Sequence, residues 1–357
     1  MLRVGARVTL HPSERMSPRS SVRKPRPKSR AARKPATPRA PSTGVASAEA
    51  AAEMIPAKGK SCELRVGGKQ VRLTNLHKPF WPELGLTKGD LLRYYVSISR
   101  WLLPHLKDRA MVMKRYPNGW NGPFFFMKRT PEHAPDWLET CSIEHASKSV
   151  IDFPMVQDLA SLLWVVNLGC IDLNQWYATC DDTDRPDYLH FDLDPVPGAD
   201  FDKVRETALL VRDSLSKLGM KSYAKTTGSK GIHVYIPIVR GPTQKRVWGF
   251  AKEFARAMEA INPKLVTAEY RVAKRPPGRV LVDYNQNAWG RTLASVYSVR
   301  ARPGATVSTP VTWEEVEKGI EIEDFDLRGV PARVAEKGDL FRPLLLARGR
   351  YDLAALI

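Results

Sequence analysis

The chain has 357 residues, 43% of them apolar, and its 56 Lys and Arg outnumber 38 Asp and Glu to give a net charge of +18. That length holds one large domain or two to three ordinary ones, which excludes a stapled mini-protein. Its longest apolar run, residues 162–166, falls far below the roughly 20 residues that cross a bilayer, and residues 1–12 have no apolar core of a secretory signal, although an Arg-rich, Ser-rich start is shared with transit peptides.

Residues 1–60 contain 14 Lys and Arg against 3 Asp and Glu, a net of +11, so the remaining 297 residues carry 42 minus 35, or +7. Eight Pro and many Ser and Ala bury too little surface to offset ordering entropy, which predicts a disordered, basic, Pro-rich tail over 1–60. Runs such as Arg23-Lys24-Pro25-Arg26-Pro27-Lys28-Ser29-Arg30 suit condensation onto a phosphate backbone. A solubilising tail, or a true start at Met16, fits the same composition. The rest divides into 61–185, a catalytic part over 186–345, and a C-terminal extension over 346–357. Cys62, Cys141, Cys170 and Cys180 lie 79, 29 and 10 residues apart. That spacing matches neither a disulfide framework nor a C-x-x-C zinc pattern, so a reducing, cytosolic compartment is the default.

Residues 63–72 alternate about Gly67-Gly68 as a short hairpin. Thr87 then caps a helix over 88–103, closed by Trp101 and Pro104. Residues 105–180 mix short strands and helices, with a buried apolar stretch over 159–173. From residue 188 the pattern sharpens: strand 188–194, helix 201–218, strands 222–226 and 232–238 about a Gly-rich turn, helix 243–261, strand 279–284 and a further strand over 293–300. This is the order of a split β-α-β unit, so the fold class is α/β (α+β) with an RRM-like antiparallel sheet and a smaller N-terminal α/β subdomain. One sheet face is left free of helices, open for binding or catalysis.

The chemistry gathers on that sheet. In His190-Phe191-Asp192-Leu193-Asp194-Pro195 the two carboxylates share one face of a strand while Phe191 and Leu193 take the other. At about 5 Å and an effective dielectric near 20 they repel by about 3 kcal/mol, and Mg²⁺ or Mn²⁺ is the natural compensation. Asp283, at the end of Val280-Leu281-Val282, would complete a trio able to hold two metals. Between two strands, Lys225-Thr226-Thr227-Gly228-Ser229-Lys230-Gly231-Ile232-His233 has glycines that let amide N–H groups line a concavity for anions. Its spacing is not that of a P-loop, and an ordinary hairpin also carries Gly and Lys. His233 faces the carboxylates, though a lone strand His is more often structural. Lys114-Arg115-Tyr116 leads into Phe124-Phe125-Phe126-Met127-Lys128-Arg129, a basic and aromatic combination on which bases stack. The bland alternative makes alternate phenylalanines core, Phe124 above all. Tyr297-Ser298-Val299-Arg300 places a cation near the Asp283 strand.

Taken in order and spacing, the motifs at 190–195, 226–233, 282–285 and 297–300 resemble the polymerase module of bacterial ATP-dependent DNA ligase D, a branch of the archaeo-eukaryotic primase superfamily. The resemblance covers about residues 64–345. The ligase and phosphoesterase modules of that family are not in this sequence, so a stand-alone form is expected. The resemblance implies that Asp192, Asp194 and Asp283 hold two Mn²⁺ or Mg²⁺ ions. It implies nucleotide contacts from Lys114, Asn174, Thr227, Gly228, Lys230, His233 and Arg300, with Arg275 and Gln286 nearby. Lys78 and Lys88 match the pair that grips a downstream 5′-phosphate, and Phe125 and Phe126 match the pair that stacks against the template. Thr227 stands at the family's usual serine, and Asn174 stands where many members have histidine, which puts sugar discrimination in question. The implied activity is nucleotide addition to a primer 3′ end at gaps or double-strand breaks, from NTP or dNTP. The implied setting is cytoplasmic and nucleoid-associated, as a monomer beside Ku and a ligase on another chain. Primer-independent primase activity and non-catalytic binding of DNA ends are the alternatives.

Overall fold

The computed structural model describes residues 53–145 and 148–356; most of the proposed tail lies outside them. Ile55 is wholly buried in the core, so packing starts a few residues ahead of the first strand. β1 (Ser61–Val66) and β2 (Lys69–Thr74) pair antiparallel about Gly67-Gly68, as the alternation predicts. β3 (Pro79–Trp81) and β4 (Leu86–Thr87) form a second small ladder. It delivers the chain to α1 (Lys88–Leu106), whose N-cap Thr87 and Asp90 make a reciprocal capping box.

α1 continues through Pro104 rather than ending there. In the last turn a proline forfeits one backbone bond, and here Leu102 and Leu106 stay buried while His105 Nε2 lies 2.8 Å from Asp339 Oδ2. Tertiary packing outweighs the local stop signal. β5 (Met111–Arg115) pairs with β6 (Phe125–Met127). β7 (Thr140–Glu144) and β8 (Val150–Pro154) form a hairpin. The apolar stretch over 159–173 becomes α2 (Leu159–Asn167), capped by Asp158, and then β9 (Cys170–Gln175), which completes a β6-β5-β9 sheet.

The second half follows the order read from sequence: β10 (Tyr188–Pro195), α3 (Phe201–Lys217), β11 (Tyr223–Thr226), β12 (Ile232–Pro237), α4 (Gln244–Ile261), the short β13 (Val266–Thr267) and β14 (Val280–Asp283). After it come β15 (Pro310–Val311), α5 (Trp313–Lys318) and α6 (Val330–Lys337), the last of six α-helices among the described residues. The large sheet runs β13-β14-β10-β12-β11-β15, and its inner four strands have the split β-α-β arrangement, with β10 antiparallel to both neighbours. Phe191 stacks on Phe254 of α4 at 4.8 Å, which marks the helix-covered face.

Three expectations are corrected here. The opposite sheet face is not open: Lys225, His190, Tyr235 and Tyr188 are buried beneath the N-terminal part and the segment around Phe341, and only the end bearing Asp192 and Asp194 reaches a cleft. Residues 293–300 form no strand; they lie along β9, with Ser295 N donating to Leu173 O at 2.7 Å and Leu173 N donating to Ser298 Oγ at 2.9 Å. Cys141 and Cys180 are joined in a disulfide although their spacing suggested none, because β7 and the chain after β9 converge with Cα atoms 6.0 Å apart. Among the described residues no helix is long and apolar enough to cross a membrane.

Candidate active site

Strand register assembles the acidic centre. Asp192 on β10 stands directly opposite Asp283 on β14 and, on its other side, opposite His233 on β12; His233 in turn faces Lys225 on β11. Directly opposed residues have Cβ atoms about 4.5–5.5 Å apart, so Lys225, His233, Asp192 and Asp283 form one row across four strands. Asp194 lies two residues along β10 on the same face.

The electrostatics of the row are unfavourable as it stands. Burial, then Asp283, pushes the Asp192 carboxyl up to about 7. Asp192, then burial, does the same to Asp194. Burial, with Lys225 and Arg300 nearby, holds His233 well below its ordinary range, so the 3.0 Å approach of His233 Nε2 to Asp192 Oδ1 joins a neutral ring to a carboxyl. Asp192 Oδ1 is buried without a hydrogen bond. A buried, unspent carboxylate oxygen among repelling carboxylates fits a hard divalent cation. Among the described residues no three acidic, His or Cys side chains are already drawn together as ligands of one ion. The cause is local: Asp283 Oδ1 accepts from Asn285 N at 2.7 Å and Oδ2 from Gln286 Nε2 at 3.1 Å, which turns its carboxylate into its own loop. That loop is pinned by Asn287, whose Nδ2 donates to His190 O and whose Oδ1 accepts from His190 N.

The Gly-rich hairpin differs from the open anion cradle expected. The amides of Ser229, Lys230 and Gly231 all donate to Thr227 Oγ1, at 3.0–3.1 Å. With its lone pairs engaged, the Thr227 hydroxyl has its proton left to give, so it can act as a donor toward the cleft it lines. Gly231 is required by crowding, since a Cβ there would come within 2.0 Å of Leu193 O. Gly228 is required twice over, by φ of 64° and by Arg300 Cγ at 2.8 Å from a Cβ. Lys230 stands exposed at the hairpin tip.

Facing this sheet across the cleft, of about 410 Å³, is the second row, Phe126-Lys114-Asp172 on β6-β5-β9, with Asn174 one step along. Asn174 Nδ2 donates to Asp172 O at 3.1 Å. Arg300 reaches in from the 294–309 connection and donates through Nη1 to Thr227 O. Gln286 lines both this cleft and an adjoining hollow beyond Asp283. Arg275 belongs to that hollow and spends its guanidinium on Glu269 O and Tyr270 O, acting on Asp194 only through its charge.

A separate cationic corner forms where β3 and β4 meet α1. Lys88 N donates to Lys78 O at 2.9 Å, which brings Lys78 and Lys88 together. Lys88 is buried, with Nζ on Thr74 O at 2.6 Å and Asn167 Oδ1 at 2.8 Å, while Lys78 Nζ reaches Asn118 Oδ1 at 2.9 Å. Burial, then Lys78 and Arg115, lowers Lys88 to about 8. Between this corner and the cleft runs the aromatic strand. Phe124, Phe125 and Phe126 are 52%, 45% and 58% exposed, so none is core, and the reading of Phe124 as packed is overturned. Phe126 lines the cleft, whereas Phe125 sits over Arg115, its guanidinium 5.1 Å from the ring.

Sequence reasoning gave no role of their own to Lys225, Asp172, Asn287 and Arg115. Lys225 is wholly buried, its Nζ on Ala294 O at 3.0 Å and on Ser308 Oγ. Asp172 is an isolated carboxylate inside an apolar run. A charged residue placed at a buried strand position was the available signal for both.

The chain is similar to proteins of one known family. The family model described as LigD, primase-polymerase domain matches residues 87–341. The multifunctional non-homologous end joining protein LigD of Mycolicibacterium smegmatis is 34% identical over 278 residues, 77% of this chain and 36% of that protein. The bifunctional LigD of Bacillus subtilis is 31% identical over 273 residues, 75% of this chain and 43% of that protein. The chain thus spans about two-fifths of the length of these curated relatives. The solved polymerase domain of Mycobacterium tuberculosis ligase D, in complex with DNA, superposes with a TM-score of 0.72 at 30% identity, covering 76% of this chain and 97% of that one. With the family model spanning most of the described residues, the chain belongs to the LigD primase-polymerase family of DNA and RNA nucleotidyltransferases.

Proposed function

We propose that this chain extends a DNA primer 3′ end at gaps and double-strand breaks, using NTP or dNTP opposite a template. The observation that carries the reading is the register that sets Asp192 between Asp283 and His233, beside a hairpin whose Thr227 hydroxyl has a proton to donate. Asp192, Asp194 and Asp283 would hold one or two divalent ions, Mn²⁺ or Mg²⁺, which when bound supply Lewis acidity and charge compensation at the reacting oxygens. Thr227 and Arg300 on one side of the cleft, with Lys114 on the other, bind and orient the triphosphate, and Lys230 and His233 add positive charge and a hydrogen bond near the leaving pyrophosphate. Asn174 and Gln286 border the nucleotide from β9 and the Asp283 loop, and Arg275 steadies Asp194 by charge.

Lys78 and Lys88 would grip the 5′-phosphate of the downstream strand, and Phe125 and Phe126 would stack against the template at the break. The DNA held by the related polymerase domain supports binding of this kind, and the end-joining role in the relatives' names supports a place beside Ku and a separate ligase. Residues 1–60 would serve as a basic arm on the DNA backbone, ahead of a monomeric catalytic unit.

The test is extension of a gapped duplex, with and without the 5′-phosphate, by the wild type and by Asp192→Ala/Asp194→Ala. Templated extension by the wild type alone supports the proposal; equal extension by both would end it. Dinucleotide synthesis without any primer would instead indicate a primase.

A further inference from the structure

Among the described residues, Asp172 is a carboxylate of the cleft that lies apart from Asp192, Asp194 and Asp283. It sits on β9, its side chain 3% exposed, directly across the strand pair from Lys114. Its Oδ1 accepts from Ala301 N at 3.2 Å, and its Oδ2 lies 3.6 Å from Lys114 Nζ and 3.4 Å from Arg300 Nε. The two cations come from different parts of the chain, one from β5 and one from the connection that flanks the Gly-rich hairpin.

The lengths of these ion pairs matter. Beyond about 3.3 Å an N to O contact gives Coulomb attraction but little hydrogen-bond energy. Arg300 Nε is buried and has no hydrogen-bond partner among the described residues. Asp172 therefore holds both cations in place without consuming their donors. Without it, Lys114 and Arg300 would lose the carboxylate they share; Lys114 would keep only its ring contacts, Phe124 at 4.2 Å among them, and Arg300 its backbone bond to Thr227 and the charge of the acidic row.

We propose that Asp172 is a positioning residue for the nucleotide: it draws Lys114 and Arg300 together on one carboxylate oxygen, aimed into the cleft, before the triphosphate arrives. This deepens the proposed function and rests on it. Removing Asp172 also raises the net positive charge of the cleft, which alone would favour an anion. A divalent ion carried by the triphosphate offsets about half of its charge, however, and the directional bonds of the aimed donors outweigh the added charge. Asp172 touches no reacting atom, so its loss acts on nucleotide affinity rather than on turnover.

The experiment measures KM for the nucleotide and kcat in Mn²⁺-supported extension of a gapped duplex by the full chain, for wild type, Asp172→Asn, Lys114→Met and the double variant. The expected result is a KM raised about tenfold by Asp172→Asn with kcat changed less than about threefold, and a clearly smaller effect of Asp172→Asn once Lys114 is gone, since only Arg300 is then left to be set. Asp172→Glu, which keeps the charge, should stay closer to wild type, and it carries the test if melting shows that Asp172→Asn does not fold. A KM that is unchanged or lowered, or a full additional loss in the Lys114→Met background, would overturn the assignment. Absence of extension by the wild type would instead count against the proposed function itself.

Discussion

The two walls of the cleft are built from opposite materials. The large sheet contributes a buried row in which like charges crowd together, whereas the β6-β5-β9 sheet and the corner below it contribute cations and exposed rings. The first wall is unfavourable to the bare fold and stabilised by whatever cation it takes up; the second is largely satisfied within the protein and offers its surface to a strand. Substitutions in the first should therefore abolish chemistry while sparing or improving stability, and substitutions in the second should weaken binding in proportion to the interaction each one removes.

The largest expected effect follows from Asp192→Asn. Extension should fall by at least about a thousandfold, consistent with removal of a charge on which the chemistry depends, while the melting temperature of the ion-free protein at neutral pH rises. The sign follows from the carboxyls of Asp192 and Asp194, raised from 3.8 to about 7. Between those values these two carboxyls bind more protons in the folded chain than in the unfolded chain, so their contribution to ion-free stability is full below about 3.8 and is lost as pH climbs through 7, a slope that Asp192→Asn should reduce. Melting curves across that range, with and without Mn²⁺, check this; a flat profile in the ion-free protein would contradict it.

Next in size is the cationic corner. Lys78→Ala with Lys88→Met should remove the preference for a phosphorylated downstream end, read as the ratio of binding to gapped duplexes with and without the phosphate. Because free Lys88 titrates near 8, the same ratio in the wild type should shrink as pH rises past that value, as the ammonium that attracts the phosphate is lost. Smaller again is the loss from Phe126→Ala, about 1–3 kcal/mol of template affinity if a base stacks on the ring. Smallest is deletion of residues 1–52, which should flatten the salt dependence of DNA binding while leaving the gap preference intact.

Much of the large sheet was legible because its strands and helices keep clean periods, and its four inner strands follow the βαββαβ order. What escaped was fixed by distant partners. The alternation over 293–300 looks like a strand, yet those residues spend their backbone on β9 and on residues 306–308. Pro104 reads as a stop, yet its turn is held by Asp339. At the site, the spacing of Asp192 and Asp194 gave their shared face, and a carboxylate closing the apolar run Val280-Leu281-Val282 marked Asp283 as the third. Neither revealed that Asp283 would be turned into its own loop, that Thr227 would gather the hairpin amides, or that Asp172 would stand between two cations, since each depends on side-chain geometry that no linear spacing encodes.

The most direct test of the acidic centre is Mn²⁺ binding at pH 7.5, read from the loss of the free-ion electron paramagnetic resonance signal, for wild type and Asp283→Asn. The account predicts stoichiometric uptake by the wild type and an affinity at least about tenfold weaker in the variant, because the Asp283 carboxylate must leave Asn285 and Gln286 to join the ion. Equal affinity in the two proteins would contradict it.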